Sequence, residues 1–455
     1  MAKNEERTNC TELELQYAWN SLHEGAEFLL ENGLRLQVLY PGQWNVEKGP
    51  DFFGAKLRIN GSVISGDVEI HTIPYDWILH RHSDNEKYDN VILHVVSHPY
   101  VSQIVKEKLS GIPLLVIPDI KIKTLLGHRN SSRKYNPGLC SNYIREKSPD
   151  ILNDYFINNG YNRLYNKSLK FISEILLLGS EKCLLKGLFE ACGYKNNRDE
   201  FLELFRKFTS HDLQKKSIVE KEAVLWGESG FLDKNKIALS DEKIRGYFSI
   251  LWDNWWHSRK GYEKEKINWT RANVRYVNSP WRRIAGLTLL LKRNSFDLLY
   301  PLLHLFDSNS DIPLLIKKLI EIFTVSDECL DLYLDFNTRL KKKNILIGKA
   351  RAIDIVGNVV LPFMLAYSRL NNKSNLYEKV VVLWRALPSS QLNINIKISA
   401  QRWLIEKSDV TKVFRNFASI QGGIYLYKNY CTFLSMDCSN CPKRKIDIEK
   451  ILITN

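Results

Sequence analysis

No run of this chain comes near the roughly 20 consecutive apolar residues that a membrane span requires. The most apolar stretch, 358–367, is short and carries Pro362, so it reads as a piece of a core helix. The first nine residues are polar and charged and hold no apolar segment of the secretory type. Internal repeats and low-complexity tracts are absent, which excludes solenoids and arrays. Acidic residues are the scarcer charge, 51 against 65 Lys and Arg, for a net charge of +14. There is no disulfide-type framework either. Five of the eight cysteines (Cys10, Cys140, Cys183, Cys192, Cys329) are scattered, and Cys431, Cys438 and Cys441 cluster near the end. The expectation is a cytoplasmic protein with no membrane part, where clustered thiols point to a metal.

What is present suits a folded protein. Hydrophobic residues make up 44% and charged residues 25% of 455 residues, enough for two or three domains and at least one large core. Texture divides the chain. Residues 1–125 read as an α/β core. A polar, basic, breaker-rich connector follows at 126–149, and an all-α domain spans 150–420. The cysteine motif occupies 421–455. The basic excess suits a polyanion, nucleic acid first. A coding bias toward Lys, Asn and Ile produces the same excess.

In the first region a helix is expected over 12–30. Alternation then predicts a strand at 34–40, stopped by Pro41-Gly42. Residues 55–59 and 62–71 flank Asn60-Gly61, a strong hairpin signal. A short helix at 75–80 and buried strands at 90–96 and 114–117 complete an α/β sandwich.

The chemistry concentrates on the second hairpin strand. Side chains alternate faces with period 2, so Asp67, Glu69 and His71 share one face and Val68 and Ile70 the other. Carboxylates side by side repel unless a cation or solvent intervenes. Asp51, after Gly49-Pro50, enters the hairpin with its backbone fixed by the proline. Hard oxygen donors suit Mg²⁺ or Mn²⁺, which would polarise a phosphodiester and acidify a bound water. His71 is then placed to position or deprotonate that water.

Pro50-Asp51, a hairpin and Glu69-Ile70-His71 together resemble the PD-(D/E)xK nuclease motif. The resemblance implies a restriction-endonuclease-like core in which Asp51 and Glu69 hold the metal. His71 stands where the motif has its lysine. The acidic residue of the preceding helix would be Glu12 or Glu14. Longer words also resemble an uncharacterised bacterial family, domain of unknown function 2851. They are Tyr40-Pro41-Gly42-Gln43-Trp44-Asn45, Gly49-Pro50-Asp51-Phe52, Gly66-Asp67-Val68-Glu69-Ile70-His71, Asp76-Trp77, 89–96, 226–232 and the terminal cysteines.

Five of the ten histidines fall between His71 and His98. With Asp67 and Asp76, His80 and His82 form a candidate secondary site, either a polar wall or a second metal position. The plainer reading is a solvated loop, with His94 a buried strand residue. Cys431-x6-Cys438-x2-Cys441 resembles the start of the iron–sulfur loop of helix-hairpin-helix DNA glycosylases, and the fourth cysteine of that loop is absent. Cys140 is the first choice for a fourth ligand to zinc or a [4Fe–4S] cluster. In the helical domain Arg282 and Arg283, and Lys341, Lys342 and Lys343, are candidate phosphate contacts. Buried helix aromatics and solvated charge runs are the duller account of these segments.

The leading expectation is a Mg- or Mn-dependent nuclease, or a nuclease-derived DNA/RNA-processing protein. A non-catalytic nucleic-acid-binding or scaffold protein on a degenerate nuclease fold is the alternative, and a metal hydrolase for another phosphoester is a third reading.

Overall fold

The computed structural model describes residues 10–22, 24–45, 49–80, 82–99, 111–127, 138–194, 196–258, 266–270, 275–389, 392 and 394–431. The chain divides into two compact units. One contains 1–147 with 397–407 and 426–455; the other contains 148–396 and 408–425.

In the first unit, helix α1 (Glu12–Asn20) starts at a capping box. Thr11 Oγ1 accepts from the Glu14 amide, and the Glu14 carboxylate accepts from the Thr11 amide at 2.9 Å. The expected helix over 12–30 is corrected here. It ends at Asn20, and β1 (Ala26–Leu29) follows. The reason is pairing: the Gly25 amide donates to the Val38 carbonyl, and β1 runs antiparallel to β2 (Arg35–Tyr40).

The remaining strands are β3 (Gln43–Trp44), β4 (Phe52–Ile59), β5 (Ser62–His71), β6 (Val91–Val96) and β7 (Leu114–Val116). Their order in the sheet is β1-β2-β4-β5-β6-β7, with β3 on β4. Pairing is antiparallel as far as β5 and parallel from β5 through β6 to β7. The β4–β5 hairpin turns on Asn60 and Gly61, both with positive φ (46° and 87°), as a type I′ turn demands. Between Phe52 and Ala55, β4 carries one residue more than β5 opposite. Gly54 absorbs that bulge at φ 63°, and its amide donates to Asp67 Oδ1 at 2.9 Å.

One face of the sheet is apolar. Leu36, Val38, Leu57, Val68, Ile70 and Leu93 are fully buried there with Leu15 and Trp19 of α1. Each such side chain contributes about 1.5–3 kcal/mol on burial. The same alternation sends Glu69 and His71 to the other face. There α2 (Asp76–Leu79) and the single turn His82–Asp84 cross from β5 to β6.

The second unit is helical. Its helix Pro149–Leu178 has Ser148 as N-cap and a proline in its first turn. The apolar stretch near 358–367 is longer than the sequence suggests, because the helical run covers Lys349–Leu370. A π-turn at Val356–Val360 precedes Pro362, so the ring is accommodated without ending the helix. By length and mean hydropathy it is the one helix among the described residues able to cross a membrane, and 72% of its apolar window is buried inside the protein.

Candidate metal centre

Three carboxylates meet beside the β4–β5 hairpin. The Asp51 amide donates to Glu69 Oε2 at 3.0 Å, and the Ile70 amide donates to Asp51 Oδ2 at 3.0 Å. The two acidic residues are thus locked across adjacent strands. Gln16 of α1 donates Nε2 to Asp51 Oδ1 at 2.8 Å, with Glu12 Oε1 3.4 Å from the same nitrogen. Glu12 is half-buried, and its charge acts on both Asp51 and Glu69. Glu14 lies on the exposed side of α1 and is spent in the capping box. Of the two candidate helpers, the structure therefore brings Glu12 to the cluster and leaves Glu14 outside it.

Burial, then the charges of Glu69 and Glu12, hold the Asp51 carboxyl well above the ordinary carboxylate range. Glu69 is pushed up by burial first and by Glu12 next. The charged groups acting on Asp51 are thus of its own sign. A divalent cation offsets this arrangement, as does a shared proton.

Glu69 also joins a second cluster. Its Oε1 lies 3.1 Å from His82 Nε2 and 3.4 Å from His71 Nε2. His71 Nε2 is 3.2 Å from His80 Nδ1 and 3.3 Å from His82 Nε2. On its other side His71 Nδ1 meets His94 Nε2 at 2.9 Å. His94 is the neighbour of Glu69 in the parallel β5–β6 register. The His82 ring stacks on Tyr88 at 3.8 Å and meets the edge of Trp77. His71, His82 and His94 are buried, and His80 is half-buried.

Burial is the main cause that holds all four imidazoles below their usual range, His82 at about 4 and His94 at about 3. At neutral pH they are uncharged and carry a lone pair, the form that binds a metal. His71, His80 and His82 can present one nitrogen each within 4.8 Å of one another.

Other expected site residues fall elsewhere. Asp67 is buried, but its carboxylate is used by the Gly54 amide in the β4 bulge. Asp76 accepts from Thr72 Oγ1 at 3.2 Å and acts on His80 through charge only. His98 is a separate group that contacts Ser97. Arg282 and Arg283 require correction as phosphate contacts. Arg282 is 1% exposed, and its guanidinium donates to the carbonyls of Val277, Tyr333 and Asn344. Arg283 is 7% exposed, bonds Asn278 and stacks on Tyr194. Both are enclosed because the helix Pro280–Arg293 packs on all sides of its first turns. Lys341, Lys342 and Lys343 are exposed. Cys140 and Cys431 belong to the first unit, Cys431 ending a π-turn at Tyr427–Cys431. Cys438 and Cys441 lie outside the described residues.

Sequence reasoning missed Gln16 and underrated His94. A signal for His94 existed, a polar residue in mid-strand between Leu93 and Val95. Gln16 stands one helical turn after Glu12, on the same face.

A family described as "Protein of unknown function (DUF2851)" matches residues 12–393. The chain belongs to that family. Searches of curated proteins and of solved structures returned no match.

Proposed function

We propose that this chain is a divalent-metal-dependent hydrolase of nucleic-acid phosphodiesters, built on a restriction-endonuclease-like core. The observation that carries the reading is the convergence of Glu12, Asp51 and Glu69, where the sheet passes from antiparallel to parallel pairing. A helix bearing Glu12, then Asp51, then a hairpin bearing Glu69 supply the acidic residues that the nuclease resemblance implies. Asp51 and Glu69 would hold the ion, Mg²⁺ or Mn²⁺ by the hardness of their oxygens. When bound, such an ion polarises a phosphoryl oxygen and acidifies a coordinated water. Glu12 and Gln16 keep the Asp51 carboxylate in place through the contacts of α1. His71 offers an uncharged nitrogen in the motif's lysine position.

The basic excess and the exposed Lys341, Lys342 and Lys343 supply the attraction for a polyanion. A thiolate site for zinc or a [4Fe–4S] cluster at Cys140, Cys431, Cys438 and Cys441 is a separate part of the proposal. Elemental analysis with a visible spectrum decides it.

The test is cleavage of single- and double-stranded DNA and RNA with Mn²⁺ or Mg²⁺. Loss of several kcal/mol of charge stabilisation means a fall of about 100-fold or more in Asp51→Asn and Glu69→Gln. Cleavage that survives both substitutions contradicts the reading. The replacement of lysine by His71 favours the second reading, a binding module on the same core. That module would retain nucleic acid without hydrolysing it under any divalent ion.

A further inference from the structure

Polar atoms crowd around the ring nitrogens of His71. A histidine nitrogen carries either one proton or one lone pair. His71 Nε2 nevertheless has three polar atoms within 3.4 Å: Glu69 Oε1, His80 Nδ1 and His82 Nε2. Hydrogen bonds engage these atoms only in pairs, because the one lone pair of His71 Nε2 accepts from one donor at a time. A cation at the centre would engage them together, each atom directing its own lone pair at the ion.

The distances agree with that arrangement. Zinc–nitrogen and zinc–carboxylate bonds of about 2.0–2.1 Å in a tetrahedron put neighbouring ligand atoms about 3.3–3.4 Å apart. Four of the six edges among Glu69 Oε1, His71 Nε2, His80 Nδ1 and His82 Nε2 measure 3.4, 3.1, 3.2 and 3.3 Å. We propose that His71, His80 and His82, with Glu69 within reach of two of them, form a site for one transition-metal ion of the zinc class. It would be distinct from the oxygen site of Asp51 and joined to it through Glu69.

The ligands come as two pairs spaced by one residue, Glu69-x-His71 on β5 and His80-x-His82 on the crossover to β6. One-residue spacing on a strand puts both side chains on one face. For His71 to offer Nε2, its proton sits on Nδ1, where His94 Nε2 accepts it at 2.9 Å. His94 is therefore a positioning residue, fixing ring and tautomer from the adjacent strand. Stacking on Tyr88 and the edge of Trp77 hold the His82 ring. Three imidazoles and one carboxylate favour zinc, cobalt or iron over magnesium. The inference deepens the hydrolytic reading and rests on it for what the site is for, while its binding chemistry is tested apart from activity.

The experiment is a Co²⁺ titration of the metal-stripped full chain, followed by visible absorption and elemental analysis, on wild type and on His80→Gln/His82→Gln. Wild type is expected to bind one equivalent more than the double variant and to show the strong visible bands of tetrahedral cobalt. Any cobalt on the cysteines is common to both proteins and cancels in the difference. His94→Gln should retain the site with affinity lowered about 10–100-fold, and His98→Gln should match wild type. Equal stoichiometry and spectra in wild type and the double variant overturn the site. So does an octahedral, weakly absorbing spectrum in wild type. Because His80 is half-buried, His80→Gln alone provides a folded check. Tetrahedral cobalt without phosphodiester cleavage keeps this site and removes the hydrolytic reading. Mn²⁺-dependent cleavage with no cobalt difference does the reverse.

Discussion

Both units bury charged or polar side chains, and they do so in opposite ways. In the helical unit Arg282 is surrounded by carbonyls that accept every proton it points inward, and Arg283 lies on the Tyr194 ring beside Asn278. In the sheet unit Glu12, Asp51 and Glu69 face like charge, and His71 Nε2 faces three atoms it cannot all satisfy. Around Arg282 the first pattern is complete as it stands and holds loops to a helix. The second leaves like charges and lone pairs facing one another, which a cation or a shared proton would offset. Residue type alone does not separate them, since arginine near tryptophan and a histidine-rich loop are equally suggestive on paper. Whether the partners close the hydrogen-bond account does separate them.

The largest expected effect breaks the comparison from the helical side. Arg282→Met leaves several buried carbonyls without donors and should cost about 3 kcal/mol or more in urea unfolding. Metal bound per folded molecule should not change. Loss of metal without loss of stability would mean the arginine serves a site after all.

Next comes metal removal. Zinc at a hundredfold excess over its Kd should stabilise wild type by about 2.7 kcal/mol, reversed by chelator. The His80→Gln/His82→Gln protein should show most of that gain gone in a thermal melt. An equal gain in both would place the stabilising ion elsewhere, the cysteines first.

A third substitution sharpens the contrast between the words 66–71 and 226–232. A Cβ at Gly227 would stand 2.1 Å from Trp255 Cδ2. Gly227→Ala should therefore cost about 1–3 kcal/mol by overpacking, with metal binding intact. Gly227 in the word 226–232 would then serve packing.

The smallest effect concerns Asp67. Because its oxygen serves the Gly54 amide, Asp67→Asn keeps an acceptor there and should cost less than about 1 kcal/mol. Metal titrations should be unchanged. A metal-binding loss as large as that of Glu69→Gln would put Asp67 back into the centre.

Much of the sheet was legible because its signals are local. Alternation, Asn60-Gly61 and the Pro-bounded strands depend on neighbours in sequence. The face shared by Glu69 and His71 follows from the same period of two. What was not legible depends on distance in space. The carbonyls that enclose Arg282 come from 277, 333 and 344, far apart in the chain. The partner of His71 comes from the next strand, and a strand's neighbour is set by topology rather than by spacing. The end of α1 was misjudged because residues 26–29 carry enough apolar character for either element, and the pairing with β2 decided the outcome. The segments 397–407 and 426–431 group with the first unit, although helical texture continues on either side of them. The lysine missing from the nuclease pattern looked like a loss in the sequence. In space that position holds the residue around which the other histidines gather.

Glu69 belongs to both clusters, so it tests the account most directly. Calorimetric titration of the metal-stripped full chain with Mn²⁺ and with Zn²⁺ should show binding of each in wild type and loss of both from the first unit in Glu69→Gln, with the far-ultraviolet spectrum unchanged. Isotherms identical to wild type for both ions in Glu69→Gln would contradict it.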